Sequence, residues 1–277
     1  MNVLYGALMV AGATALAVAA MLFVRRHAPE GSFFSDGDRA SGVFGVLATG
    51  FSVLLGFVIF LAFTSYDKSR AGAETEALAV AQQVETAQLL PKPVAAQMTG
   101  GLVCYARSVL HQEWPRMEKG TQGDAINPWG VRLFRILDGL QPSTGSAQSA
   151  YDKSLDLTST REEARLDRIH GAEGVIPSPL WIVLAVISVV IFVYMLFFAD
   201  SAERATTQAL LMGSVTAVIS VMLLLLVFLD SPFRSGVGAL RPVAMERTLR
   251  IVDQALGSLG VTGTGAQLPC DAAGRPR

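Results

Sequence analysis

With 277 residues, 51% of them apolar and only 16% charged, the chain departs from soluble domains, in which roughly a quarter of residues carry charge. Its 22 Lys and Arg nearly balance its 23 Asp and Glu, for a formal net charge of −1, so no basic excess favours nucleic acid. The composition is that of a membrane protein.

The apolar residues gather into stretches without charge: 3–24, 41–66, 175–199 and 205–229. A helix needs roughly 20 apolar residues to cross about 30 Å of hydrocarbon, and each stretch is long enough. Strands of a membrane barrel would alternate in short runs instead. The expected fold class is all-α: a polytopic membrane protein with four transmembrane helices in two pairs (1–66 and 175–229) and a helical extramembrane domain, 67–174, between them. The first stretch contains the small residues ALAVAA near a signal-like cleavage point, but its charges, Arg25 and Arg26, follow the apolar core rather than precede it. It is read as a retained helix. The second stretch runs into Asp67, Lys68 and Arg70 without a proline or turn cluster, so this helix is expected to continue to about Leu90, with Gly72 as a bend. Tyr66 would then lie at the membrane interface, with Lys68 and Arg70 at headgroup depth as cationic anchors.

Along the continuation, Leu78, Ala81, Val84 and Gln88 mark one face, and the PKP run at 91–93 ends it. A second helix fits 94–111 despite Gly100 and Gly101. A third is announced by Asn127 as N-cap and Pro128 in the first turn, with Val131, Phe134, Ile136 and Leu137 as its apolar positions. QPSTGSAQSA, 141–150, reads as a loop, after which Thr160 and Glu163 match a capping box and Gly171 closes the helix. The region 230–256 holds an amphipathic stretch from Val243 to Leu256, and 257–277 reads as a disordered tail.

Chemistry-bearing constellations are few. His27, His111 and His170 lack ligand spacing, Cys104 and Cys270 form no CxxC, and the glycine-rich run LGSLGVTGTG lacks the strand and helix of a phosphate loop. No enzyme activity, cofactor or metal site is expected. The helical domain carries 12 Lys and Arg against 14 Asp and Glu, and its REEARLDRIH segment reads as a solvated helix surface. None of the apolar stretches has an ionisable residue at its centre, which argues against proton-coupled transport. On the second stretch, Thr49, Val53, Phe57 and Phe60 fall at i, i+4, i+8 and i+11, one helical stripe, with Gly50 and Gly56 allowing close approach by neighbours. Such a stripe either lines a pore in an oligomer or packs against helices or lipid. The glycines at 42, 45, 50 and 56 point to a homo-oligomer.

GFSVLLGFVIFLAFTSYDKSR at 50–70, followed by EWP at 113–115 and by the paired membrane helices around a helical domain, resembles the bacterial bestrophin-like domain family. FSVLLGF and SYDKSR are more distantly similar to the second helix of bestrophins and its polar continuation. The resemblance implies a pentameric anion channel of the bacterial cell membrane, with that helix lining a hydrophobic neck. Small anions, membrane lipid and further copies of the chain are then the partners. Ser69 and Arg70 stand where bestrophins usually carry a tryptophan pair, and there is no compact acidic cluster resembling a calcium clasp, so calcium gating is not carried over.

The charge pattern and the resemblance disagree on orientation. Arg25, Arg26, Arg39 and Arg204 lie in the short loops between paired helices, against Lys68, Arg70, Arg165, Arg168, Arg234 and Arg241 over roughly twice that length on the other side, so by density the positive-inside rule mildly favours short loops in the cytoplasm. The resemblance implies the reverse, a cytoplasmic helical domain, and with it reduced Cys104 and Cys270. A disulfide between them requires that their side be oxidising.

Overall fold

The structure, a computed structural model, describes residues 3–121, 127–236, 238–258 and 268–277. The described residues form helices α1 (Val3–Arg25), α2 (Gly37–Ala87), α3 (Lys92–Ser108), α4 (Trp114–Glu118), α5 (Pro128–Asp138), α6 (Gly145–His170), α7 (Ser178–Phe197), α8 (Ala205–Asp230) and α9 (Val243–Ser258). A π-helical turn, Val109–Glu113, joins α3 to α4. Among the described residues there is no strand, only an isolated bridge between Cys270 and Pro276. Four helices, α1, α2, α7 and α8, are long and apolar enough to cross a membrane. The fold class is therefore all-α with four candidate membrane spans.

The chain divides into two compact units, Met1–Thr64 with Val175–Asp230, and Ser65–Gly174 with Ser231–Arg277. The first is the membrane unit. One cluster of its core is Ala17, Met21, Ala199 and Met212, and Leu55, Leu184, Ile191 and Leu226 are buried as well. The α1–α8 packing is close because Gly213 has no side chain: a Cβ there would sit 3.3 Å from Val18 Cγ2 and 3.5 Å from Thr14 Cγ2. At the short-loop end, Phe34 meets Phe198 with ring centroids 4.9 Å apart, and Phe44 meets Phe198 edge-on at 5.8 Å. An aromatic cluster at a helix-pair end suits the membrane interface, where rings are accommodated at headgroup depth. Arg25 donates to the carbonyls of Ser201, at 3.0 Å, and Glu203, tying α1 to the α7–α8 loop. Asp230 Oδ1 accepts from the backbone N–H groups of Val175, at 2.7 Å, and Ile176, at 2.9 Å.

The second, helical unit is built on the polar end of α2. No breaker interrupts α2, and it runs as one helix from Gly37 to Ala87. Gly72 is a contact position rather than a bend: a Cβ there would lie 2.6 Å from the Arg168 backbone nitrogen and 2.7 Å from the Ala164 carbonyl oxygen, so only glycine lets α6 approach this closely. The buried face of the continuation is Ala77, Val80, Val84 and Ala87 together with Glu76 and Gln83. Leu78 and Gln88, expected on the packed face, are exposed. Burial follows what α6 and α3 bring against the helix, and polar partners there make Glu76 and Gln83 inner residues.

Elsewhere in this unit Asn127 caps α5, accepting from the Trp129 N–H at 3.0 Å, as its sequence predicts. The α5 residues that pack are Trp129, Leu133 and Leu137, while Val131 and Phe134 are exposed. The loop expected over 141–150 is largely helical. Thr144, accepting from Ala147 N–H at 3.2 Å, is the real N-cap of α6. Thr160 lies in mid-helix and donates back to the Asp156 carbonyl at 3.0 Å, so no capping box forms there. Much of the glycine-rich run lies outside the described residues. The expected disordered tail is corrected over 268–277: Cys270 is buried and disulfide-bonded to Cys104, which overturns the expectation of two reduced cysteines.

Candidate functional site

The membrane part of α2 has two faces. Phe51, Leu55, Val58 and Ala62 are buried, while Val53, Phe57 and Phe60 are 54%, 65% and 62% exposed, and Thr49 is exposed with them. Among the described residues nothing in the chain covers this stripe. The same holds for the small residues, since a Cβ added at Gly42, Gly45, Gly50 or Gly56 would meet no atom within 4 Å.

Where α2 enters the helical unit, the predicted anchors have protein partners. Tyr66 donates its hydroxyl to the Gly238 carbonyl at 2.8 Å. Lys68 pairs with Asp167 at 3.0 Å, and Arg70 with Glu74 at 3.2 Å one turn on. Asp67 is exposed. Ser69 is buried and reaches the Asp167 carbonyl at 3.3 Å.

Deeper in the unit lies a charged core that the sequence hides. The arginines of REEARLDRIH are not solvated: Arg161, Arg165 and Arg168 are all buried. Arg168 donates from Nη2 to Glu76 Oε1 at 3.0 Å and to Glu113 Oε2 at 2.5 Å, and its Nε also bonds the Glu76 carboxylate. Arg165 reaches Glu113 at 3.3 Å, and Asn127 donates to the same carboxylate at 2.8 Å. Tyr105 donates its hydroxyl to Glu76 at 2.5 Å, and its ring lies 4.8 Å from the Arg161 guanidinium carbon, a cation–π contact. Arg161 completes the cluster through Gln83 Oε1 at 2.9 Å and Glu162 at 2.8 Å. The helical segments that supply these groups, α2, α3, the π turn and α6, are thereby joined, with Asn127 from the start of α5.

Electrostatics follow from this enclosure. Burial pushes the Glu113 carboxyl up, but the Arg168 and Arg165 guanidiniums outweigh it and hold the group below the usual carboxylate range. Burial, then the Glu76 carboxylate, raise Tyr105 well above an ordinary phenol, so it remains a hydroxyl donor. Burial alone would lower Arg168; Glu76 and Glu113 reverse that and hold it above its ordinary value. Among the described residues the cluster pairs three arginines with Glu76, Glu113 and Glu162. It is a structural core. The sequence carried one signal for it: Glu76 shares a helical face with Val80, Gln83 and Ala87, where an apolar contact stripe would not otherwise place a carboxylate.

The helical unit also contains a half-open cavity of about 770 Å³, lined by Tyr66, Arg70, Glu74, Trp114, Arg241 and Arg247 among others. Trp114 is buried, and among the described residues its indole Nε1 has no hydrogen-bond partner. Among the described residues, no group of three or more His, Cys, Asp and Glu is placed to hold a metal ion.

Comparison with known proteins fits this architecture. No curated protein matches the chain in sequence. Among solved structures, a membrane protein carrying a proline-to-alanine substitution superposes with a TM-score of 0.69 at 14% identity, covering 90% of this chain and 99% of that one. A bacterial bestrophin homologue from Klebsiella pneumoniae with a leucine-to-threonine substitution gives 0.65 at 15% identity, covering 91% and 99%. A variant of that homologue with an aspartate-to-alanine substitution gives 0.65 at 14%, covering 92% and 99%. At these identities the likeness is one of fold. The bestrophin-like domain itself matches residues 11–245, most of the sequence, and the chain belongs to the bestrophin-like family.

Proposed function

We propose that the protein is the subunit of a homo-oligomeric anion channel of the bacterial cell membrane, a pentamer by likeness to bestrophins, whose neck is formed by α2. One observation carries the reading: on a helix whose other face is packed, Val53, Phe57 and Phe60 remain open to the surroundings, beside glycines that meet nothing within the chain. Copies of that stripe around an axis make an apolar constriction that excludes water at its narrowest point and gates by dewetting. Membrane lipid covers the remaining apolar faces. Reconstituted vesicles test the proposal: Phe57→Ala widens and wets the neck and raises chloride flux while the oligomer stays intact. An intact oligomer that conducts neither chloride nor cations, as wild type or as Phe57→Ala, removes it.

A second reading, a non-conducting sensor or scaffold, has support from the cavity of about 770 Å³. Its volume suits a small molecule, and Trp114 is among the residues that line it. Under this reading Trp114→Phe alters ligand-linked stability and leaves vesicle flux unchanged.

A further inference from the structure

The final segment, 268–277, is built to be held. Asp271 Oδ1 accepts from the N–H groups of Ala273 at 2.9 Å and Arg275 at 2.8 Å, closing a tight turn. The turn docks through Trp129 Nε1, which donates to the Gly274 carbonyl at 2.7 Å, and Gln112 Nε2, which donates to Ala273 at 2.9 Å. Gly274 has φ +76°, and a Cβ there would stand 2.3 Å from the Ser108 backbone nitrogen, so the seat accepts glycine alone. Cys270, beside this turn, is buried and bonded to Cys104 of α3. Two thiols enclosed together by so specific a seat are a structural disulfide, and such bonds persist where the compartment is oxidising.

The charge pattern is a separate observation. Arg25, Arg26, Arg39 and Arg204 lie in the short connections between α1 and α2 and between α7 and α8, while Lys68, Arg70, Arg165, Arg168, Arg234 and Arg241 are spread over a longer stretch on the other side, so by density the bias mildly favours cytoplasmic short loops. Parity agrees with both: four spans put 67–174 and everything after α8 on one side, as a bond between residues 104 and 270 requires.

We infer that the helical unit faces the oxidising, extracytoplasmic side of the membrane and the two short loops face the cytoplasm, the reverse of the sidedness that the bestrophin resemblance implies. Closing the bond takes two protons and two electrons from the cysteine thiols. A disulfide-carrying oxidant of that compartment accepts them by thiol–disulfide exchange and is itself reduced to a dithiol. The orientation is independent of whether the protein conducts.

The test adds one cysteine at a time to the otherwise native chain: Ser143→Cys, exposed before the start of α6, and Ser35→Cys, exposed in the α1–α2 loop. Each variant is first checked for labelling by a maleimide in detergent. On intact cells a membrane-impermeant maleimide labels Ser143→Cys and leaves Ser35→Cys untouched until the membrane is permeabilised. Protection of Ser143→Cys on intact cells, or labelling of both variants, overturns the inference. In the wild type, alkylation before lysis followed by denaturation finds new thiols only after reduction; two free thiols without reductant overturn it as well.

Discussion

The two units solve the burial problem in opposite ways. The helical unit encloses a neutralised set of arginines and glutamates, adds a disulfide and seats its last segment against Trp129. The membrane unit buries apolar residues such as Met21, Leu55, Leu184 and Met212, and leaves Val53, Phe57 and Phe60 uncovered. One unit closes a charged, disulfide-bonded interior within a single chain. The other presents apolar faces that lipid and further copies of the chain would cover in the proposed oligomer, since such faces gain nothing from water exclusion once in the bilayer and associate through close packing at small residues. Function that depends on assembly therefore belongs to the second kind of surface, and substitutions should sort accordingly.

The largest effect is expected in the charged core. Arg168→Ala leaves Glu76 and Glu113 buried without their shared cation and destabilises the helical unit by about 3–5 kcal/mol. Trp114 and Trp129 report on it by fluorescence once Trp181 in α7 is replaced by Phe. Cys270→Ser comes next, at about 2–4 kcal/mol, since it frees a long loop in the unfolded chain. Its unfolding midpoint should coincide with that of reduced wild type. Gly72→Ala must push apart the α2 and α6 backbones, and overpacking of this kind costs about 1–3 kcal/mol. A bend at Gly72 would instead predict stabilisation by alanine, so the same midpoint distinguishes the two roles.

Acid gives a subtler contrast. Glu113 is held below its unfolded value, so its contribution is fully present above the unfolded carboxylate pKa of about 4.3 and is lost as pH falls through the lower folded value. Glu113→Gln should flatten that acid loss in a titration of the unfolding midpoint. At the small end, Phe134→Ala on the exposed face of α5 changes stability by no more than about 0.5 kcal/mol.

What could be read from residues alone also differed between the units. Charge-free runs declare the membrane helices because hydrocarbon admits nothing else over that length. The Asn127 cap and the unbroken passage from Tyr66 into α2's polar end are local signals, and both appear in the structure. The charged core was hidden because Arg168 meets Glu76 and Glu113 from sequence separations of 92 and 55 residues, and arginine on a polar helix ordinarily faces water. The tail misled for a related reason: its glycine-rich composition says nothing of a cysteine partner 166 residues away. The neck stripe was legible as a face, while what that face meets is a property of more than one chain.

The most direct test of the channel account is chloride flux through vesicles reconstituted with wild type and with Phe57→Ala, with oligomer size measured on the same samples. The account predicts an intact oligomer in both and a higher flux in the variant, because the truncated side chain lets water and anions through the constriction. A variant that weakens the oligomer and carries no flux would assign Phe57 to a packed helix interface and contradict the account.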